Sequence, residues 1–203
     1  FQVLRIARNS YLHALNINLI SMFKSKLFVG LLGTLLLVSA CKKDDDNDGT
    51  NNSGDFPQEL VLDGTRHGLG TAFMEFYPDY GVNSHNLDLI LLSDGLTAHY
   101  DADNYPDSIS GNGYMMYFEM FSADSTFLSA GTYSMDTTLT VNTFQGAFVA
   151  PVSNGEINGS PEQLKTGSVE VSRSNNVYTI TGSGKDADNK DFEFSYQAAI
   201  TIY

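Results

Sequence analysis

Beyond Phe56 the chain alternates apolar and polar residues with a period of two, and short clusters of Gly, Asn and Asp divide the alternation into runs. The last run is the clearest. Phe192, Phe194, Tyr196, Ala198, Ile200 and Ile202 fall on one phase; Asp191, Glu193, Ser195, Gln197, Ala199 and Thr201 fall on the other. Successive side chains of a strand point to opposite faces, so this pattern predicts an antiparallel strand with one face in a core and one in water. Val177-Tyr178-Thr179-Ile180-Thr181 precedes it, and Asp186-Ala187-Asp188-Asn189 supplies turn chemistry between the two, which predicts a hairpin. A third strand is predicted over Ser168–Ser172, with a turn at Ser174-Asn175-Asn176. Earlier runs cover Thr71–Tyr77, Leu87–Ser93, Tyr114–Ser122, Gly131–Ser134 and Leu139–Ala150. Pro161-Glu162-Gln163-Leu164 reads as a single helical turn, and no longer stretch has a helical period. About eight or nine short strands at this spacing predict one all-β domain over residues 56–203, an antiparallel sandwich or a barrel. Alternation does not choose between the two, because closure depends on register.

The chain before Phe56 has a different character. Leu27–Val38 is a run without a charge, preceded by Lys24 and Lys26 and followed by the small residues Ser39 and Ala40. It is shorter than the ~20 apolar residues of a membrane-spanning helix and matches the core of a secretory signal over residues 22–40, opened by Met22. Residues 1–21 carry Arg5 and Arg8 and no acid, and read as an upstream extension. Residues 41–55 hold Lys, Asp, Asn, Gly, Thr and Ser after Cys41; they cannot bury apolar surface and are expected to form a flexible acidic tether.

Leu37-Val38-Ser39-Ala40-Cys41 resembles the lipobox of bacterial lipoproteins. The resemblance implies cleavage before Cys41 and acylation of its thiol and new amine. One acyl chain holds a protein weakly and two or more hold it stably, at ~0.8 kcal/mol per buried methylene. Lys42-Lys43-Asp44-Asp45-Asp46 resembles the export signal of Bacteroidetes lipoproteins, which implies the outer membrane and exposure at the cell surface.

The net charge of −13 changes the list of partners. All four bases of residues 1–40 would leave with the signal, and the remaining 24 acids face seven bases, a charge near −17. Such a chain repels phosphate backbones, which argues against nucleic acid. Cys41 is the single cysteine, so no disulfide is expected and the domain must hold by its apolar core.

Leu128-Ser129-Ala130-Gly131-Thr132-Tyr133, Gly167-Ser168-Val169-Glu170-Val171 and Tyr178-Thr179-Ile180 resemble segments of uncharacterised all-β Bacteroidetes lipoproteins, over roughly residues 65–203. The resemblance implies a lipocalin-like or sandwich domain and brings no catalytic residues; Gln197-Ala198-Ala199 departs from it where a glycine is usual.

Candidate chemistry is sparse. Asp44-Asp45-Asp46-Asn47-Asp48-Gly49 matches the start of a calcium loop, but Asp55 stands where a glutamate is needed, and flanking helices are not expected. Asp101, Asp103 and Asp107 share a predicted loop and are calcium candidates through their oxygens; turn duty explains the same residues. Asp186, Asp188 and Asp191 form a lesser group. His67, His85 and His99 have no zinc spacing, and no Gly-x-Ser-x-Gly elbow accompanies them. Glu75 and Glu119 sit inside apolar runs; paired carboxylates act on glycosides, and an outward position on a strand explains each more simply. The aromatics are the best ligand-binding material: Tyr100, Tyr105 and Tyr114 lie in or beside expected loops and strand ends, and their flat faces suit sugars or lipids. Asp107-Ser108-Ile109 resembles a Bacteroidetes O-glycosylation site at Ser108. No catalytic or cofactor motif stands out. The reading is therefore a lipid-anchored envelope protein, non-enzymatic, that binds a glycan, a small hydrophobic ligand or an envelope partner; a glycan-directed hydrolase and a structural lipoprotein are the alternatives.

Overall fold

The computed structural model describes residues 56–77 and 83–203. The expectations for residues 1–21, the signal over 22–40, Cys41 and the tether lie outside the described residues. Every regular element is a strand: β1 (Glu59–Leu62), β2 (Thr65–Tyr77), β3 (His85–Ser93), β4 (Leu96–Tyr100), β5 (Pro106–Gly111), β6 (Gly113–Ser122), β7 (Gly131–Met135), β8 (Thr143–Ser153), β9 (Glu156–Ile157), β10 (Glu162–Ser174), β11 (Val177–Asp186), β12 (Asp191–Ala199) and β13 (Thr201–Ile202).

Nine of them close into a barrel in the order β1-β12-β11-β10-β7-β8-β6-β3-β2, with β2 returning to β1. The barrel is mixed rather than purely antiparallel, because two short strands fill seams. β1 is only four residues long and separates β12 from β2 along part of their length; above it the chain bends at Ile200, and β13 pairs β2 in parallel at Thr201↔Phe73 and Ile202↔Met74. The predicted single strand Phe192–Ile202 is therefore two. β10 is met by β8 at Glu162↔Val149 and by β7 at Val171↔Gly131, and where β7 and β8 touch they run parallel.

Three local expectations gave way to long-range pairing. The helical turn at Pro161–Leu164 is instead the start of β10, drawn out by Gln163↔Phe148. The strand expected from Leu139 begins at Thr143, because Leu139 and Asn142 both take left-handed backbone angles and turn the chain. Asp107, expected in a loop, lies on β5.

Two apolar layers hold the molecule. Inside the barrel Leu89, Met116, Phe118, Phe144, Val169, Ile180, Phe192 and Phe194 pack together, with Phe118 5.6 Å from Phe144 and 5.2 Å from Phe194 between ring centroids. The inside is thus filled by side chains, like the small barrels that enclose no large cavity. Gly182 faces Phe194 across the β11–β12 pair, and a Cβ there would meet the Phe194 ring. The second layer is outside. The β4–β5 hairpin lies over the wall formed by β2, β3, β6 and β8, and Leu96 and Ile109 bury Phe73, Ile90, Leu92, Met115, Tyr117 and Phe148. Each such side chain contributes about 1.5–3 kcal/mol on burial. The hairpin's neck is tight: Gly95 and Gly111 have positive φ of 86° and 95°, and a Cβ on Gly111 would strike the Gly95 carbonyl.

Candidate functional site

The hairpin that covers this wall also carries its most exposed rings. Leu96, Ala98 and Tyr100 share one face of β4 by strand periodicity, and Leu96 and Ala98 pack on the barrel. Tyr100 extends that apolar face beyond the covered wall and is 45% exposed. The loop after it is built by Asp101, whose Oδ1 accepts the backbone N–H groups of Asp103 and Tyr105, both at 2.9 Å. The Asp101 N–H donates to the Tyr105 carbonyl at 2.9 Å, and Asn104 adopts φ 63° to close the turn. This holds Tyr105, 40% exposed, beside the strand end.

Both rings meet Tyr203. The centroids of Tyr105 and Tyr203 are 5.4 Å apart, and those of Tyr100 and Tyr203 6.2 Å. Tyr203 is fixed by the backbone: its N–H donates to the Met74 carbonyl and its carbonyl accepts the Phe76 N–H, each at 2.9 Å. Burial first, and the neighbouring Tyr100 hydroxyl after it, push the Tyr203 phenol above its ordinary pKa. The result is a three-ring surface, two rings on the hairpin and one on the barrel. Tyr114 is elsewhere, its ring tilted by 50° against His67 at 4.5 Å beside a cavity of about 100 Å³ at one barrel mouth.

Of the calcium candidates, Asp101 serves the turn, while Asp103 and Asp107 are exposed. Asp186 does the same work in its own turn, accepting the N–H groups of Asp188 at 2.9 Å and Lys190 at 2.8 Å. Among the described residues no three His, Cys, Asp or Glu side chains converge as a metal site would require. Ser108 is exposed on β5 opposite His99, whose Nε2 lies 2.7 Å from the Ser110 hydroxyl.

Register brings Glu75 and Glu119 into one row. Glu75 pairs Asp88, Asp88 pairs Glu119, and Glu119 pairs Gln145, across four adjacent strands. The Gln145 amide donates to Glu119 Oε2 at 2.8 Å. Asp88 and Glu119 are only 3% and 9% exposed. Burial, then the charges of Asp88 and Glu119, raise the Tyr117 phenol far above its ordinary value. On the opposite side, a shallow groove of about 350 Å³ crosses β1, β12, β11 and β10. Two of its three glutamates are held by neighbours: Arg66 donates to Glu59, and the Thr132 hydroxyl to Glu170 at 2.8 Å.

Tyr203 and Asp88 were missed by sequence reasoning. Tyr203 had a signal: it falls on the phase of Asp191, Glu193 and Ser195, so an aromatic stands on the water-facing side. No known protein family, curated protein or solved structure matches the chain.

Proposed function

We propose that this chain is a lipid-anchored cell-envelope protein, acylated at Cys41 and displayed on the outer membrane, that acts without catalysis as a binding module for a glycan. The observation that carries the reading is the exposed ring surface of Tyr100, Tyr105 and Tyr203, held between a turn organised by Asp101 and a strand anchored to β2. Ring faces stack on the apolar C–H faces of sugars, and the phenol hydroxyls supply hydrogen bonds at the rim. The filled barrel supports an outer site over a lipocalin-like interior one, since ligand pockets usually measure ~300–1,000 Å³ and the mouth cavity is about 100 Å³.

A glycan array and a thermal-shift screen of residues 42–203, with and without calcium, test it. A glycan that raises the melting temperature of the native chain and not of a Tyr105→Leu variant supports the reading. Failure of every glycan overturns it. A shift with calcium alone, lost in Asp103→Asn, would give the loop a metal instead. Mass spectrometry of the membrane-extracted protein tests acylation at Cys41. A hydrolase remains the second reading because of the row Glu75, Asp88 and Glu119; turnover of any bound glycan, abolished in Glu75→Gln, would favour it.

A further inference from the structure

We propose that the Tyr100–Tyr105–Tyr203 surface selects a ligand bearing a positively charged amine, such as an amino sugar with a free ammonium group, over a neutral sugar of the same shape; this rests on the reading of that surface as a glycan platform.

The argument is electrostatic. An aromatic ring presents a negative face, and a cation within about 6 Å of the centroid is attracted to it. Here Tyr203 is flanked by Tyr105 at 5.4 Å and Tyr100 at 6.2 Å, tilted by 45° and 32°, so more than one ring can approach a single small group. Carboxylates reinforce the rings. The hairpin from Leu96 to Gly111 carries Asp101, Asp103 and Asp107 and no Lys or Arg. Asp103 and Asp107 are exposed, and Asp101 caps the turn through its Oδ1. The hairpin's remaining titratable side chains besides the tyrosines reduce to His99, which falls on the strand phase opposite Tyr100's neighbours and lies beside Ser110. Among the described residues the ion pairs are Arg66–Glu59 and Lys185–Asp191, on β2–β1 and β11–β12, so neither brings a cation to the hairpin. The whole chain, at −13, adds a field that attracts cations and repels anions. A neutral sugar gains stacking and the phenol hydrogen bonds at such a surface; an ammonium sugar gains these together with attraction to the ring faces and to the exposed carboxylates of Asp103 and Asp107.

The test uses residues 42–203 and three probes that differ at one position: glucosamine at mildly acid pH, where its amine is protonated, N-acetylglucosamine and glucose. Binding is read by amide chemical shifts. Glucosamine is expected to bind about tenfold more tightly than either neutral sugar at low salt, with the preference shrinking as the screening length falls below ~10 Å. Tetramethylammonium chloride should compete. Tyr105→Leu and Tyr100→Leu should each weaken glucosamine about fivefold while circular dichroism stays native. Asp103→Asn with Asp107→Asn should flatten the salt dependence. Equal affinity for glucosamine and N-acetylglucosamine, both lost in Tyr105→Leu, overturns the charge selection and leaves the glycan platform standing. Glucosamine binding that survives Tyr105→Leu overturns the proposal by moving the site, and no binding of any probe or glycan overturns both readings.

Discussion

The two walls of this barrel obey different rules. On β3 and β6 almost every residue is buried, from Asn86 to Ser93 and from Met115 to Ser122; the barrel core takes one face, and the hairpin covers Ile90, Leu92, Met115 and Tyr117 on the other. On β12 only Phe192, Phe194 and Tyr196 are buried, in strict alternation with exposed or half-buried Asp191, Glu193 and Ser195. One wall is a layer between two cores and the other is a layer between a core and water. The comparison shows that an unbroken apolar run does not require a parallel sheet or an interior strand; a hairpin folded back over an outer face creates the same demand. It also shows where function can sit. The bare wall offers polar side chains that bond to one another, whereas the rim of the covered wall ends in the exposed rings of Tyr100 and Tyr105 against a half-buried Tyr203.

The comparison can be broken most severely from inside. Phe118 touches Phe144 and Phe194, which come from the two halves of the barrel, so Phe118→Ala is expected to cost about 3–5 kcal/mol in denaturant unfolding. A loss under ~1 kcal/mol would mean that the walls do not share this core. The next effect sharpens the difference between the outer faces. Ile90→Ala, beneath the hairpin, is expected to cost about 2–4 kcal/mol and to speed amide exchange in β4 and β5, while Ser183→Ala on the bare outer face stays within ~0.5 kcal/mol. Equal costs would remove the distinction. Gly182→Ala probes the bare wall's inner side, where the Phe194 ring occupies the space of a Cβ; overpacking should cost about 1–3 kcal/mol. The smallest effect is a pH dependence. Tyr133 is fully buried, its hydroxyl donating to the Ser129 carbonyl at 2.8 Å, and burial pushes its pKa up to about 12. A folded pKa above the unfolded value of ~10 gives a contribution that is complete below ~10 and is lost as pH rises toward the folded pKa. Tyr133→Phe should therefore flatten the alkaline limb of the stability curve, measured by urea midpoints across that range; an unchanged limb would assign it to another group.

The two walls were unequally legible. The bare wall could be read almost strand by strand, since water on one face imposes alternation, as in Phe192 to Tyr196. On the covered wall Leu87–Ser93 and Tyr114–Ser122 were recognisable as strands, yet nothing in the runs says that Leu96 and Ile109 lie against Ile90 and Tyr117. β4 and β5 went unread because Thr97, His99, Asp107, Ser108 and Ser110 present a polar outer face with only a few apolar partners. Tyr100 and Tyr105 were legible as site candidates from the Asp and Asn turn residues around them. Their union with Tyr203 was not, because it joins residues about a hundred positions apart through the parallel pairing of β13 with β2.

By itself the sequence determined the all-β class, the periods of the strands, most turns and the acidic net charge, because each can be read from the chain without knowing which distant strands pair. Only the tertiary structure decided that the sheet closes as a barrel, that a hairpin doubles one wall, that Glu75 and Glu119 flank Asp88, and that three tyrosines share a surface. Those outcomes depend on register between distant strands, and a shift of one residue would turn every side chain to the other face while leaving the alternation unchanged.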